Sequence, residues 1–349
     1  MQAGPYLVGL ASGVSIFAST ALAQTTTKIL TVGPGGYKTI SAAVSAADND
    51  PDAAIYYDIQ VIPGTYTNDF PYVTRPMTIE VHPCCASQQV LLKATKNLPN
   101  EKGIILTVAS LTVNGLTFTG AKITNGLGGN GAGIRDQNTG PGATLMVQNS
   151  TFIGNQEGIL TGNDPDETIT IVNSHFINNG NSNSSYFQHG LYVNQAKMLS
   201  ISNSLFCGQL IGHDVKSRAA VTMIQNNQFY DGAANSVLGC NAGSTSLAID
   251  VPNGGAVTIS GNQIIQGAGS QNYKMVDYGE EGLAYSYNSF LVSQNNFTST
   301  GTPSATAIYD PSCVPVKLSS DYTKSNDDNM FTGVTAIVDP AGCIAPAPQ

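Results

Sequence analysis

Ten side chains of this 349-residue sequence have the types needed to bind an anion and move a proton: Arg135, His189, Tyr192, Asn194, His213, Lys216, Arg218, Asp250, Glu280 and Glu281. Lys216 and Arg218 are two of only 14 Lys and Arg residues in the chain. Being two apart, they share a face if the segment is a strand, because strand side chains alternate. Removing a proton next to a carboxylate has three requirements. The carboxylate must be neutralised, a base must take the proton, and an acid must protonate the leaving oxygen. In that chemistry Arg218 neutralises, Lys216 or His213 abstracts, and Tyr192 or His189 donates, with Asp250 beside them. A lysine next to a guanidinium has its pKa lowered, which suits a base. Arg135, Asn194, Glu280 and Glu281 are the expected substrate contacts. Carboxylates also allow glycoside hydrolysis, which needs a pair about 5.5 Å or roughly 6.5–9.5 Å apart. Asp250 with Glu280 or Glu281 is the available pair.

These residues meet only if something stacks them, and a repeated phrase does so. Asn149-Ser-Thr-Phe152 returns as Asn173-Ser-His-Phe176, Asn203-Ser-Leu-Phe206 and Asn226-Asn-Gln-Phe229. Looser copies stand at Asn114 to Phe118, Gly261 to Ile264 and Gln294 to Phe297. The phenylalanines 152, 176, 206 and 229 are 24, 30 and 23 residues apart, a period of stacked supersecondary units. Each unit holds short strands and Asn/Gly-rich turns, with no room for a crossover helix. Stacked as coils of a parallel solenoid, the strands lie about 4.8 Å apart. Phe then forms an inner row, and Asn a turn row that tolerates positive φ and bonds the next rung. Aligning the other strands puts Ile134, Ile159, Leu191, Val215 and Ile249 inside. Arg135, Leu160, Tyr192, Lys216 and Asp250 then form one outward stripe, continued by Tyr278, Glu280 and Glu281. His189 and His213 share the parity of the inward residues, which places them at strand edges or turns.

Composition agrees with a polar-surfaced β protein: 37 Gly, 11% charged residues and no Trp. A net charge of −9 argues against nucleic acid as a partner. The apolar run from Tyr6 to Ala23 ends in Ala21-Leu-Ala23, an export leader whose cleavage leaves Gln24 first. A secreted or periplasmic protein is expected, without a membrane span after cleavage and acting as a monomer. Six cysteines suit that address. Cys207 with Cys240, or Cys313 with Cys343, are possible bridges, while at least one of the adjacent Cys84 and Cys85 needs a distant partner or stays free. No zinc spacing and no phosphate-binding loop is present.

The phrase, its spacing and the entry Thr31-Val-Gly-Pro-Gly-Gly-Tyr37-Lys-Thr-Ile40, followed by alanine-rich Ser41 to Ala47 and by Ile59 to Tyr66, resemble the pectin-lyase-like superfamily over residues 28 to 300. The resemblance implies an all-β, right-handed single-stranded parallel β-helix with a short N-terminal capping helix over the open sheet edges. The expected divisions are a leader at 1–23, a cap and first coils at 24–104, coils at 105–300 and a tail at 301–349. This fold hosts lyases, hydrolases, esterases, epimerases and adhesins, so it does not name an activity. Lyases of the superfamily use Lys/Arg pairs on the coil face, which favours a polysaccharide lyase acting on an acidic, uronate-containing polysaccharide. A glycoside hydrolase, a C5-epimerase and a non-catalytic glycan-binding coil are the alternatives. The polygalacturonase-like Asn-Thr-Asp and Arg-Ile-Lys are missing. Either no cofactor or Ca2+ is expected, with the acidic turn Asn163 to Glu167 as the candidate calcium holder.

Overall fold

The computed structural model describes residues 26–124, 129–301, 305–319 and 328–338. The expected leader and the residues from 339 on, with Cys343, lie outside them. Each coil runs through three short strands, and corresponding strands of successive coils pair in parallel. Three sheets result, of eleven, ten and ten strands among the described residues, which is a parallel β-helix. Its entry is closed by the helix Ile40–Asp48, whose first turn is capped by Thr39 Oγ1, accepting from Ala42 N at 3.1 Å, and by the Asp69 carboxylate, accepting from Ile40 N at 2.6 Å. Ile40, Ala43, Val44 and Ala47 face the coil and are buried.

The repeated phrase forms one corner. Asn149, Asn173, Asn203 and Asn226 take left-handed backbone conformations, with φ between 48° and 58°, where asparagine is tolerated. The next residue bonds across rungs: Ser174 N donates to Ser204 Oγ at 3.1 Å, Ser204 N to Asn227 Oδ1 at 2.9 Å, and Asn227 N to Asn262 Oδ1 at 2.8 Å. Inside, Phe118, Phe152, Phe176, Phe206 and Phe229 stack face to face, their centroids 4.6–5.0 Å apart.

The coil continues beyond residue 300. Thr306–Tyr309, Val316–Lys317, Met330–Thr332 and Thr335–Val338 extend the sheets, where a departure from the repeat was expected. The reason is a further copy of the phrase: Asn329 Oδ1 accepts from Asn295 N at 2.9 Å, and Phe331 stacks on Phe297. Cys207 and Cys240 are bridged, pinning a loop to a small outer cluster of Ile177, Leu205 and Leu238. Cys84 and Cys85 are bonded to each other, so neither needs the distant partner that their adjacency suggested.

Candidate functional site

One ten-stranded sheet carries most of the candidate residues. Its register pairs Ile134 with Ile159, Ile159 with Leu191, Leu191 with Val215, and Val215 with Ile249. Tyr192, Lys216 and Asp250 therefore stand on three successive rungs of one outward row. The following rung differs from expectation. Val276 occupies the place of Ile249, so Asp277 joins the row and Tyr278 falls opposite the inward Val251. Tyr278 is core: its ring stacks on Phe290 at 4.4 Å and its hydroxyl donates to Gly255 O at 2.9 Å.

The histidines face the same side as Tyr192, against their strand parity. The residue before each inward Ile, Leu or Val also turns inward. A Cβ on Gly158 would stand 2.7 Å from Phe176 Cδ1, and one on Gly133 2.7 Å from Phe152 Cδ1. Alternation slips by one there, so His189 and His213, a position further back, point outward. His189 packs edge-on to Tyr192 at 5.1 Å and stacks on His213 at 4.9 Å. They are tied into the rungs, since Glu157 Oε2 accepts from His189 N at 2.7 Å and His189 Nδ1 accepts from His213 N at 3.0 Å. Because Nδ1 of His189 is an acceptor, a neutral ring carries its proton on Nε2.

The charged groups form a single network. Asp250 Oδ2 lies 2.8 Å from Lys216 Nζ and 3.3 Å from His213 Nε2. Glu281 Oε1 accepts from Lys216 Nζ at 3.2 Å and from Arg218 Nη2 at 2.9 Å, while Oε2 lies 2.7 Å from Arg218 Nη1. Arg218 Nε donates to Tyr192 Oη at 3.0 Å, and its Nη1 donates to Asn253 Oδ1. Burial disfavours the Lys216 ammonium, but Asp250 and Glu281 outweigh it and raise the lysine above its ordinary value. Lys216 is thus held charged, not lowered toward a base, because Arg218 is the weaker neighbour. Burial pushes His213 down to about 3, helped by Lys216, and pushes His189 well below its usual range. Both rings are neutral at neutral pH.

Of the ten expected residues, His189, Tyr192, His213, Lys216, Arg218, Asp250 and Glu281 come together, and three stand apart. Arg135 lies two rungs from Tyr192 in the same row, where burial lowers its pKa against the pull of Glu157. Asn194 donates from Nδ2 to Thr161 O at 2.8 Å and serves the rung below. Glu280 pairs with Lys274 at 3.0 Å, together with Asp277 at 2.8 Å. Asp277, Lys274, Asn253 and Tyr285 were missed by the sequence reasoning. Asp277 had a signal, since it follows Val276 as Asp250 follows Ile249. In the turn expected to hold calcium, the Asp164 carboxylate accepts from Gly140 N at 2.8 Å and from Asp166 N at 2.9 Å. Among the described residues, no group of three or more His, Cys, Asp or Glu is arranged to hold a metal ion. No helix among them is long and apolar enough to cross a membrane.

Fold and site together define a parallel β-helix protein with a cation–tyrosine–histidine network on one sheet face. No protein-family model and no curated protein matches the chain. A similar solved structure is that of the PL6 family alginate lyase AlyGC, at 13% identity and a TM-score of 0.42. The match covers 91% of this chain and 40% of that one, and at this level it carries no argument about activity.

Proposed function

We propose that this face binds a uronate-containing polysaccharide outside the cytoplasm and cleaves it by β-elimination. One observation carries the reading: Lys216 and Arg218 converge with the Tyr192 hydroxyl, through the 3.0 Å bond from Arg218 Nε to Tyr192 Oη. Arg218 and Lys216 neutralise the sugar carboxylate, which stabilises the charge that develops when the neighbouring C5 proton leaves. Tyr192 relays the proton. Its oxygen takes the C5 hydrogen while its own hydroxyl hydrogen passes to the glycosidic oxygen at C4. The C5–H and C4–O bonds break, a C4–C5 double bond forms, and the tyrosine ends as it began. The Nε2–H of His189, beside Tyr192, is a further donor toward the sugar, and Asp250 holds Lys216 and His213 in place.

The test is ultraviolet absorbance from unsaturated sugar ends on a panel of alginates, pectates, glucuronans and acidic exopolysaccharides. Growth of that absorbance supports the reading, and its absence from the whole panel sinks it. Glycoside hydrolysis is the second reading, favoured by one observation: the carboxylates of Asp250 and Glu281 approach the same Lys216 Nζ, at 2.8 Å and 3.2 Å, and so lie within reach of one another. It would release reducing ends without the unsaturated product.

A further inference from the structure

We propose that Lys216 and Arg218 form a subsite for one carboxylate, and that Glu281 fills it as an internal stand-in until an acidic sugar displaces it. This rests on the reading of the face as a uronate site and adds what occupies it beforehand. Both Glu281 oxygens are engaged by three donors, one ammonium and the two outer nitrogens of a guanidinium fork, at 2.7–3.2 Å. That is the coordination a free carboxylate would seek from these two cations.

The two carboxylates on Lys216 are not equivalent. Asp250 has a side chain 5% exposed and lies behind the ammonium, whereas Glu281 is 46% exposed and lies in front. Exposed ion pairs contribute little to stability, so releasing Glu281 costs the fold little. Its turn is held by other bonds. Glu281 N donates to Pro252 O at 2.9 Å, Ala284 N to Asn253 O at 2.9 Å, Tyr285 Oη to Arg218 O, and Glu280 is tied to Lys274. Displacement therefore needs only rotation of the Glu281 side chain. A tethered competitor acts at an effective concentration in the millimolar range, so a ligand must supply a carboxylate together with further sugar contacts to win. Neutral glycans have no means of displacing it, and the stand-in thereby selects for acidic ones.

The experiment compares wild-type protein with Glu281→Gln by titration calorimetry. The probes are trisaccharides of galacturonate, mannuronate, guluronate and glucuronate, with a neutral glucan trisaccharide as control. Thermal melts establish that the variant folds, as its half-exposed position implies. The expected result is tighter binding of at least one uronate trisaccharide by the variant, on the order of tenfold, because the closed fraction no longer taxes affinity. The neutral control should not change. Equal or weaker uronate binding by Glu281→Gln overturns the proposal, as does the absence of uronate binding in both proteins. The elimination reading fails separately: if both proteins yield no unsaturated ends yet the variant binds more tightly, the subsite stands and the lyase chemistry falls.

Discussion

Asp250→Asn should destabilise the protein by about 3 kcal/mol, the lower end of what breaking a buried ion pair costs. The Asp250 side chain is 5% exposed, and its Oδ2 serves Lys216 Nζ at 2.8 Å and His213 Nε2 at 3.3 Å. Asparagine keeps the volume and removes the charge. Lys216, whose side chain is 11% exposed, is then left with Glu281, a half-exposed carboxylate already shared with Arg218. Part of the loss is offset because the amide oxygen still accepts a hydrogen bond, which is why the lower end applies. Urea unfolding reads the effect as a lower midpoint at unchanged slope. Adding Lys216→Met removes the orphaned ammonium, so the double variant should recover most of the loss, with a coupling of about 1–3 kcal/mol. A cost for Asp250→Asn below about 1 kcal/mol, or losses that simply add, would refute the buried pair as the element that organises the site.

The buried acids set a pH dependence. Burial pushes Asp231 up to about 7, and burial with Glu280 pushes Asp277 to about 8. A carboxyl that holds its proton more tightly when folded stabilises fully below its ordinary pKa, and that stability is lost as pH rises through the folded value. His189 and His213, held neutral by burial, act in the opposite sense up to about pH 6.5, so the melting temperature should fall between about pH 6.5 and about pH 8, and a steady rise over that window would contradict protonated acids. Phe206 is fully buried between Phe176 and Phe229. Phe206→Ala should cost about 3–5 kcal/mol in urea unfolding. Phe187, 60% exposed, should cost no more than about 0.5 kcal/mol when changed to Ala, and equal losses would count against the ladder as the core.

The ladders were legible because an inward residue must repeat wherever rungs stack, and Phe and Asn do so at matched positions. That registration carried over to the facing sheet and brought Tyr192, Lys216 and Asp250 onto neighbouring rungs. What alternation alone misplaced lies where it breaks. Two consecutive inward positions, as at Gly190 and Leu191, turn the histidines outward, and nothing in a two-residue period signals that slip. Tyr278 lies inside because Val276 sets the register of its strand, which pairs Tyr278 with the inward Val251. The charge on Lys216 follows from depth, since sequence shows the nearby Arg218 but not that Asp250 and Glu281 close on the ammonium from two sides. Asn253 and Tyr285 come from turns of unequal length, where no period applies.

In the proposed elimination on an acidic glycan, the Tyr192 hydroxyl moves the proton. Tyr192→Phe removes one oxygen and keeps the ring that packs against His189. On the uronate polymer that wild-type protein degrades, the most direct measurement is the rate at which unsaturated ends appear, with binding followed in parallel. Wild type should give steady product, and Tyr192→Phe should lose at least about 100-fold in kcat, the contribution of a positioned proton-transfer group, with binding retained. Product formed by Tyr192→Phe at the wild-type rate, or no unsaturated product from wild type on any acidic polymer, would contradict that proton transfer.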